Sequence, residues 1–273
     1  MDKSELGKHH KYIASVQNER SKLWSSLLEK KHRDRQRRFL VEGIHLITEA
    51  AKNGAAVETV VYDEERGVPE ELAKVRDRLN GKTEWISASR AVMKKCTGTE
   101  SPPPIFAVVV KPNWSGETLY RSDGLVVVLD NVRDPGNVGT IIRSADAVGA
   151  DAVILGKGCA DLYNPKTVRS TMGSLFHLPV MEGDLLQLMP EARARGLRLV
   201  GTSLQASHNC YQYDWKQGIW LVMGNEADGV SETVEAMLDD RLIIPMKGKA
   251  ESLNVAMATT VLLYEALRQR TFN

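Results

Sequence analysis

Leu125-Val-Val-Val-Leu-Asp-Asn-Val-Arg-Asp-Pro-Gly-Asn-Val-Gly-Thr-Ile-Ile-Arg143 sets the reading of this chain. Its first five residues form an unbroken apolar run, which suits a parallel strand buried on both faces. The polar turn that follows carries Asn, Asp, Pro and Gly into the start of a helix. On that helix Val138, Ile141, Ile142, Ala145 and Val148 share one face. At about 100° per residue, Arg143 points about 160° from the centre of that face, beside Thr140 and Ala147. Two small neighbours leave room for another surface to approach the guanidinium. Its planar fork suits a phosphate or a reacting hydroxyl. The plainer reading is a surface arginine paired with Asp146.

Two later stretches have the same form. Val222-Met-Gly-Asn-Glu-Ala-Asp-Gly229 follows the apolar run Ile219-Trp-Leu-Val-Met223. Gly224 lets backbone approach a ligand closely, and Glu226 offers an acceptor or a base. The alternative is an ordinary strand-to-helix turn, with Ser231 capping the helix and Glu226 in solvent. Ile244-Pro-Met-Lys-Gly-Lys-Ala-Glu-Ser-Leu-Asn254 places Ser252 at a helix start, where it caps or meets an electron-rich ligand, with Asn254 two residues on. In open α/β sheets ligands bind outside the carboxyl ends of strands, so three such segments describe one pocket.

Working outward, strand and helix patterns alternate along the whole chain. In the N-terminal half the spacing predicts a helix over Ile13–Lys31, a strand at Phe39–Gly43 and a helix at Ile44–Lys52. A strand at Val57–Tyr62, a helix at Pro69–Leu79 and a strand at Thr83–Ile86 follow. Ser89 then caps a helix to Cys96, and Ile105–Val110 is a strand. Residues 112–124 are polar with Pro and Gly, and read as a linker. Beyond it, strands fall near Leu125–Leu129, Ala152–Leu155, Leu197–Thr202, Ile219–Met223 and Arg241–Pro245. The last helix, Leu253–Arg270, is apolar around almost its whole circumference. It is therefore expected to be buried on all sides, threaded into the domain or clamped by a second subunit.

The 273 residues are 42% hydrophobic and 26% charged, enough for two cored domains. No apolar run is long enough for a membrane-spanning helix, and the first residues lack signal-peptide character. Three widely spaced cysteines argue for a reducing compartment, and the lack of any Cys or His pair at metal-ligand spacing argues against a zinc site. Net charge is +1, yet residues 1–38 hold eleven Lys/Arg against five Asp/Glu. Much of that excess lies in Lys30-Lys-His-Arg-Asp-Arg-Gln-Arg-Arg38, either a solvated helix end or a docking patch for a polyanion. Gly156-Lys-Gly158 is an incomplete dinucleotide fingerprint, with Asp161 where a third glycine belongs.

Taken together, the three segments resemble the motifs of the SpoU (TrmH-type) RNA ribose 2′-O-methyltransferases of the SPOUT superfamily. The resemblance extends upstream through Ser15-Val-Gln-Asn18, the basic stretch and Phe39-Leu-Val-Glu-Gly43. It implies a smaller ribosomal-protein-like α/β/α domain that binds the RNA substrate (residues 1–111). After the linker, it implies a SPOUT methyltransferase domain with a parallel sheet and a C-terminal trefoil knot (125–273). By position it implies catalytic roles for Asn137, Arg143, Glu226, Ser252 and Asn254. The adenosine of S-adenosylmethionine would lie against Thr202, Gly224, Ile244, Met246 and Leu253. The family view makes Arg143 a general base; its charge alone is the alternative, because arginine stays protonated in proteins. Arg33, Arg35, Arg37 and Arg38 are the expected RNA contacts. A homodimer in the cytoplasm, without metal or membrane, acting on large-subunit ribosomal RNA is the leading expectation. Transfer RNA as substrate, or a non-catalytic RNA-binding or ribosome-assembly protein on the same fold, are the alternatives.

Overall fold

The computed structural model describes residues 11–74, 78, 79, 81, 83–203, 205, 206, 208–225 and 228–272. They belong to two compact units. One runs up to Asn113 and takes in Tyr163–Phe176; the other comprises Trp114–Leu162 and the chain from His177 onward. Sequence patterning assigns Tyr163–Phe176 to the second domain, whereas its packing groups it with the first.

The first unit contains β1 (Lys11–Ile13), α1 (Glu19–Ser26), α2 (Lys30–Gln36), β2 (Arg38–Glu42) and α3 (Ile44–Lys52). After these come β3 (Val57–Asp63), α4 (Glu70–Ala73), β4 (Glu84–Ala88), α5 (Arg90–Thr97) and β5 (Ile105–Val110). The strands lie in the order β1-β4-β3-β5-β2, with β5 antiparallel to both neighbours. Trp24, Leu27, Val92, Met93 and Cys96 pack on Val61, Ile86 and Phe106 to form the core. The single helix predicted over Ile13–Lys31 is instead a strand and two helices. Ile13 pairs with Ala88 in β4. The Asn18 side chain caps α1 by accepting from the amide of Arg20 at 2.9 Å, and extended Glu29 separates α1 from α2. Leu23, expected on the apolar stripe, is exposed.

Tyr163–Phe176 lies over β2. The Tyr163 and Phe176 rings stand 4.7 and 6.4 Å from buried Phe39. The Lys111 ammonium sits 4.4 Å above the Tyr163 ring and 2.6 Å from Asp34. Arg169 donates to Glu42 at 2.9 Å. The other Glu42 carboxylate oxygen is buried with no partner among the described residues, and this burial pushes the carboxyl above its ordinary value despite Arg169.

The second unit begins with the 3-10 turn Gly116–Tyr120 and β6 (Leu125–Leu129). It continues through α6 (Pro135–Ala147) and β7 (Ala152–Leu155); α7 (Pro165–Ser170) is the helix that packs with the first unit. Then come β8 (Val180–Glu182), α8 (Leu185–Ala194), β9 (Arg198–Thr202), β10 (His208–Asn209) and β11 (Ile219–Met223). The last elements are α9 (Glu232–Glu235), β12 (Asp240–Ile243) and α10 (Val255–Phe272). Among the described residues the sheet is wholly parallel, ordered β10-β12-β9-β11-β6-β7-β8. Strand β11 therefore slots between β9 and β6, both made before it.

All residues of β6 and β11 are buried, because helices cover both sheet faces. Leu185, Met189, Val234 and Leu238 cover one face over Val126, Val128, Leu199 and Trp220. A Cβ on Gly201 in β9 would stand 2.4 Å from Leu238 Cδ1, so any larger residue there requires Leu238 to shift. Helices α6 and α10 pack together and share a 2.7 Å hydrogen bond between the Ser144 and Thr260 hydroxyls. Arg270 fastens the far end of α10 by donating to the carbonyls of Trp215, Asp123 and Gln217. The expectation of all-round burial for this helix fails within one chain. Val255, Ala256, Leu262, Leu263 and Ala266 are buried, but Met257 and Tyr264 are half exposed.

Candidate active site

Strands β9, β11 and β12 end side by side, and the chain turns from β12 into α10 across their carboxyl ends. This leaves a cavity of about 440 Å³ lined by Thr202, Gly224, Ile244, Met246 and Leu253, with Ser252, Val230 and Val255 beside them. All five positions expected to hold an adenosine thus border one space. Its size is in the range of small-molecule cofactor pockets. The walls also include Asp228 and Glu235, which sequence patterning did not single out. Glu235 ends a four-residue helix and ion-pairs with Arg241; nothing in its local spacing marks it.

The loop after β11 is held by its own backbone and by the loop after β6. Asn225 and Gly229 exchange two backbone hydrogen bonds, at 2.8 and 2.9 Å. This hairpin is so tight that a Cβ on Gly224 would come within 2.2 Å of the Gly229 carbonyl carbon. Asn225 Nδ2 donates to the carbonyl of Asn131 at 3.1 Å. Asn131 itself has a left-handed backbone, φ 58°. The Ser231 amide donates to the buried Asp130 carboxylate at 2.7 Å. Ser231 precedes α9 but makes no side-chain cap. Glu226, the expected catalytic residue of this loop, lies outside the described residues.

The first and third segments meet through two amides. Asp134 caps α6 by accepting from the amide of Asn137 at 2.9 Å, with Pro135 opening the helix. The cap of α10 is Asn254 rather than Ser252. Asn254 Oδ1 accepts from the amides of Ala256 and Met257 at 2.9 and 3.4 Å. Its Nδ2 donates to Asn137 Oδ1 at 3.1 Å. The helix end thus fixes which way the Asn254 amide faces, and Asn254 in turn fixes Asn137. Asn137 is thereby held at the start of α6, next to the turn that carries Ser252. Ser252, relieved of capping, is exposed on the cavity wall.

Arg143 lies six residues along α6 from Asn137, about 9 Å along the axis. It is exposed and, among the described residues, has no hydrogen-bond or ion-pair partner. The pairing with Asp146 that the sequence allowed is not made. Asp146 is held by His177, whose Nδ1 lies 2.7 Å from its Oδ2.

In the first unit, the basic cluster divides. Arg33 is 2% exposed and donates to the Leu27 carbonyl at 2.7 Å. That burial takes it out of the RNA-contacting set. Arg38 is half-buried and forks onto Glu58, one contact being 2.7 Å. Arg35 and Arg37 are exposed. The thiols of Cys96 and Cys159 are pushed up to about 11 by burial, so they are protonated at neutral pH and poor nucleophiles. Among the described residues no group of three or more His, Cys, Asp or Glu could hold a metal ion, and no helix is long and apolar enough to cross a membrane.

Residues 124–264 match the SpoU rRNA Methylase family, and residues 18–107 match the MRM3-like substrate binding domain. The chain belongs to the SpoU rRNA methylase family. Within it, the chain is 37% identical over 254 residues to the 23S rRNA (guanosine(2553)-2′-O)-methyltransferase RlmP of Bacillus subtilis, covering 93% of this chain and 98% of that one. It is 39% identical over 264 residues to the 23S rRNA (uridine(2479)-2′-O)-methyltransferase of Streptomyces viridochromogenes, covering 93% and 91%. The crystal structure of the SpoU methyltransferase AviRb from Streptomyces viridochromogenes, in complex with the cofactor AdoMet, matches with a TM-score of 0.85. Identity is 36%, with 94% of this chain and 100% of that chain covered. The fold is therefore that of the SpoU group of SPOUT methyltransferases.

Proposed function

We propose that this protein methylates a ribose 2′-hydroxyl of 23S ribosomal RNA, with S-adenosylmethionine as donor. The observation that carries the reading is the Asn254–Asn137 hydrogen bond, which joins the first segment to the third, whose Ser252, Leu253 and Val255 line the cavity. Family membership and the names of its relatives support the same chemistry. Those two relatives act on a guanosine and a uridine, so the family fixes the reaction and not the base.

The cavity suits the donor. Backbone at Thr202, Gly224 and Ile244 can approach a purine and its ribose closely, and the carboxylates of Asp228 and Glu235 offer acceptors to hydroxyls or to a cation. S-adenosylmethionine supplies an already activated methyl group, so orientation of the ribose is most of what the protein must add. Asn137, held by Asn254, helps to orient the ribose. Arg143, charged and without a partner among the described residues, holds the adjoining phosphate and favours negative charge developing on the 2′-oxygen. Ser252 orients the ribose from the cavity wall, and Glu226 serves the same loop as Gly224.

In this reading the N-terminal residues 1–111 bind the RNA substrate, with Arg35 and Arg37 meeting phosphate. The half-exposed Leu253, Met257 and Tyr264 form the seat for a second copy of the chain. That copy completes the burial that the composition of α10 demands, in a cytoplasmic homodimer. Membership of the SpoU family supports a chain threaded as a trefoil knot.

The test combines calorimetry with S-adenosylmethionine and transfer of labelled methyl to 23S RNA from cells lacking the protein. Binding, and a single new 2′-O-methyl position mapped by primer extension, are expected. Binding without transfer to any ribosomal RNA would leave a non-catalytic RNA-binding protein as the better reading.

A further inference from the structure

Helix α6 carries its own competitor for the proposed active-site arginine. Residues three apart on a helix are neighbours, and an Arg and an Asp at that spacing can form a weak ion pair. Arg143 and Asp146 have this spacing, yet Asp146 is bound by His177 at 2.7 Å and Arg143 has no partner among the described residues. The His177 and Asp146 side chains are 30% and 26% exposed, so the pair lies at the surface, within reach of the same solvent as Arg143.

The direction of the competition matters. Viewed down α6, Asp146 lies about 60° to one side of Arg143 and Asn137 about 120° to the other. Ser144, on the Asn137 side, bonds Thr260 of α10, and Asn137 bonds Asn254 at the start of α10. That side is the one facing the cavity-forming end of α10. Capture by Asp146 would therefore swing the guanidinium away from the ribose and the donor.

We propose that His177 is a positioning residue which occupies Asp146 and so keeps Arg143 available to the RNA. The inference rests on the methyl-transfer reading above. His177 follows Phe176 where the chain returns toward β8, outside all three segments that carry the chemistry.

The experiment uses the full-length protein in four forms: wild type, His177→Ala, His177→Gln, and His177→Ala combined with Asp146→Asn. A crystal structure of His177→Ala should show an Arg143 nitrogen within hydrogen-bonding reach of Asp146. Because i,i+3 pairs are weak, kcat/KM for RNA should fall only about threefold, with donor affinity unchanged. His177→Gln, which can still donate to Asp146, should retain the wild-type rate, and the double variant should recover it. A purely structural role for the pair predicts no recovery on removing the second partner. Arg143 unmoved in the His177→Ala crystal, or a rate loss that Asp146→Asn does not repair, overturns the proposal. The crystallographic arm reads the competition without any turnover. Absence of transfer by wild type would instead count against the proposed reaction.

Discussion

Asn254 Nδ2 donates to Asn137 Oδ1 at 3.1 Å across 117 residues of sequence, while Asn254 Oδ1 caps α10. One side chain thus both starts a helix and orients a second amide. The two roles separate by substitution. Asn254→Ala loses both, costing about 1 kcal/mol of stability as a lost cap together with methyl transfer. Asn254→Asp keeps an acceptor at a helix N-terminus that favours negative charge, but has no N–H for Asn137. It should unfold at or above the wild-type temperature while transferring poorly. Thermal unfolding and an RNA methylation assay on both variants check this; equal activity in Asn254→Asp and wild type refutes the relay.

Arg143→Ala should lower transfer about 100-fold or more, on the scale of losing one charge-stabilising donor. S-adenosylmethionine affinity by calorimetry should hold within twofold, since Arg143 does not line the cavity. Normal turnover by Arg143→Ala would remove the residue from the reaction.

Gly201→Ala should destabilise by about 1–3 kcal/mol through overpacking, because its new methyl collides with Leu238. Leu238→Ala added to it should recover part of that loss. Denaturant unfolding of the two singles and the double measures the coupling; simple additivity would show that the side chains do not meet.

Arg35→Ala with Arg37→Ala should reduce the slope of log affinity for RNA against log salt by about 2, as two released counterions require. Arg33→Ala should instead lower the unfolding temperature, since its guanidinium serves the Leu27 carbonyl. A salt slope unchanged by the double substitution excludes the exposed pair from the RNA contact.

Glu42 gives a pH signature. Burial raises its folded-state pKa, with Arg169 opposing. The unfolded chain therefore loses this proton first as pH rises. Stability that Glu42 contributes is complete below its unfolded pKa and declines as pH climbs toward the folded one. Glu42→Gln lacks the proton and the decline. Its stability relative to wild type should rise between acidic and neutral pH, read from denaturant midpoints. A gap that shrinks with pH would give the shift the opposite sign.

What sequence patterning reveals here follows the range of the forces involved. Runs such as Leu125–Leu129 and Ile219–Met223 announce buried parallel strands because both faces must be apolar. The edge strands β8 and β10, of three and two residues, are too short to show any period. Helix entry at Glu19 depends on the Asn18 cap, a local signal masked in the sequence by an apolar stripe that starts at Ile13, a residue that belongs to β1. The cap of α10 is ambiguous in the sequence for a similar reason: Ser252 and Asn254 both suit it, and only the turn of the third segment selects Asn254. Thr202, Gly224, Ile244, Met246 and Leu253 were found through family resemblance, and they do border one cavity. Asp130 on the Ser231 amide, Glu235 in the cavity wall and His177 on Asp146 arise only when distant segments meet, so no spacing encodes them.

The placement of Tyr163–Phe176 bears on how the protein is made. Phe39 emerges from the ribosome long before Tyr163 and Phe176, the rings that cover it. The N-terminal unit therefore cannot finish its surface during its own synthesis. It must wait until β6, α6 and β7 have also been translated, so the vectorial order in which domains usually mature gives way to interleaved folding of the two.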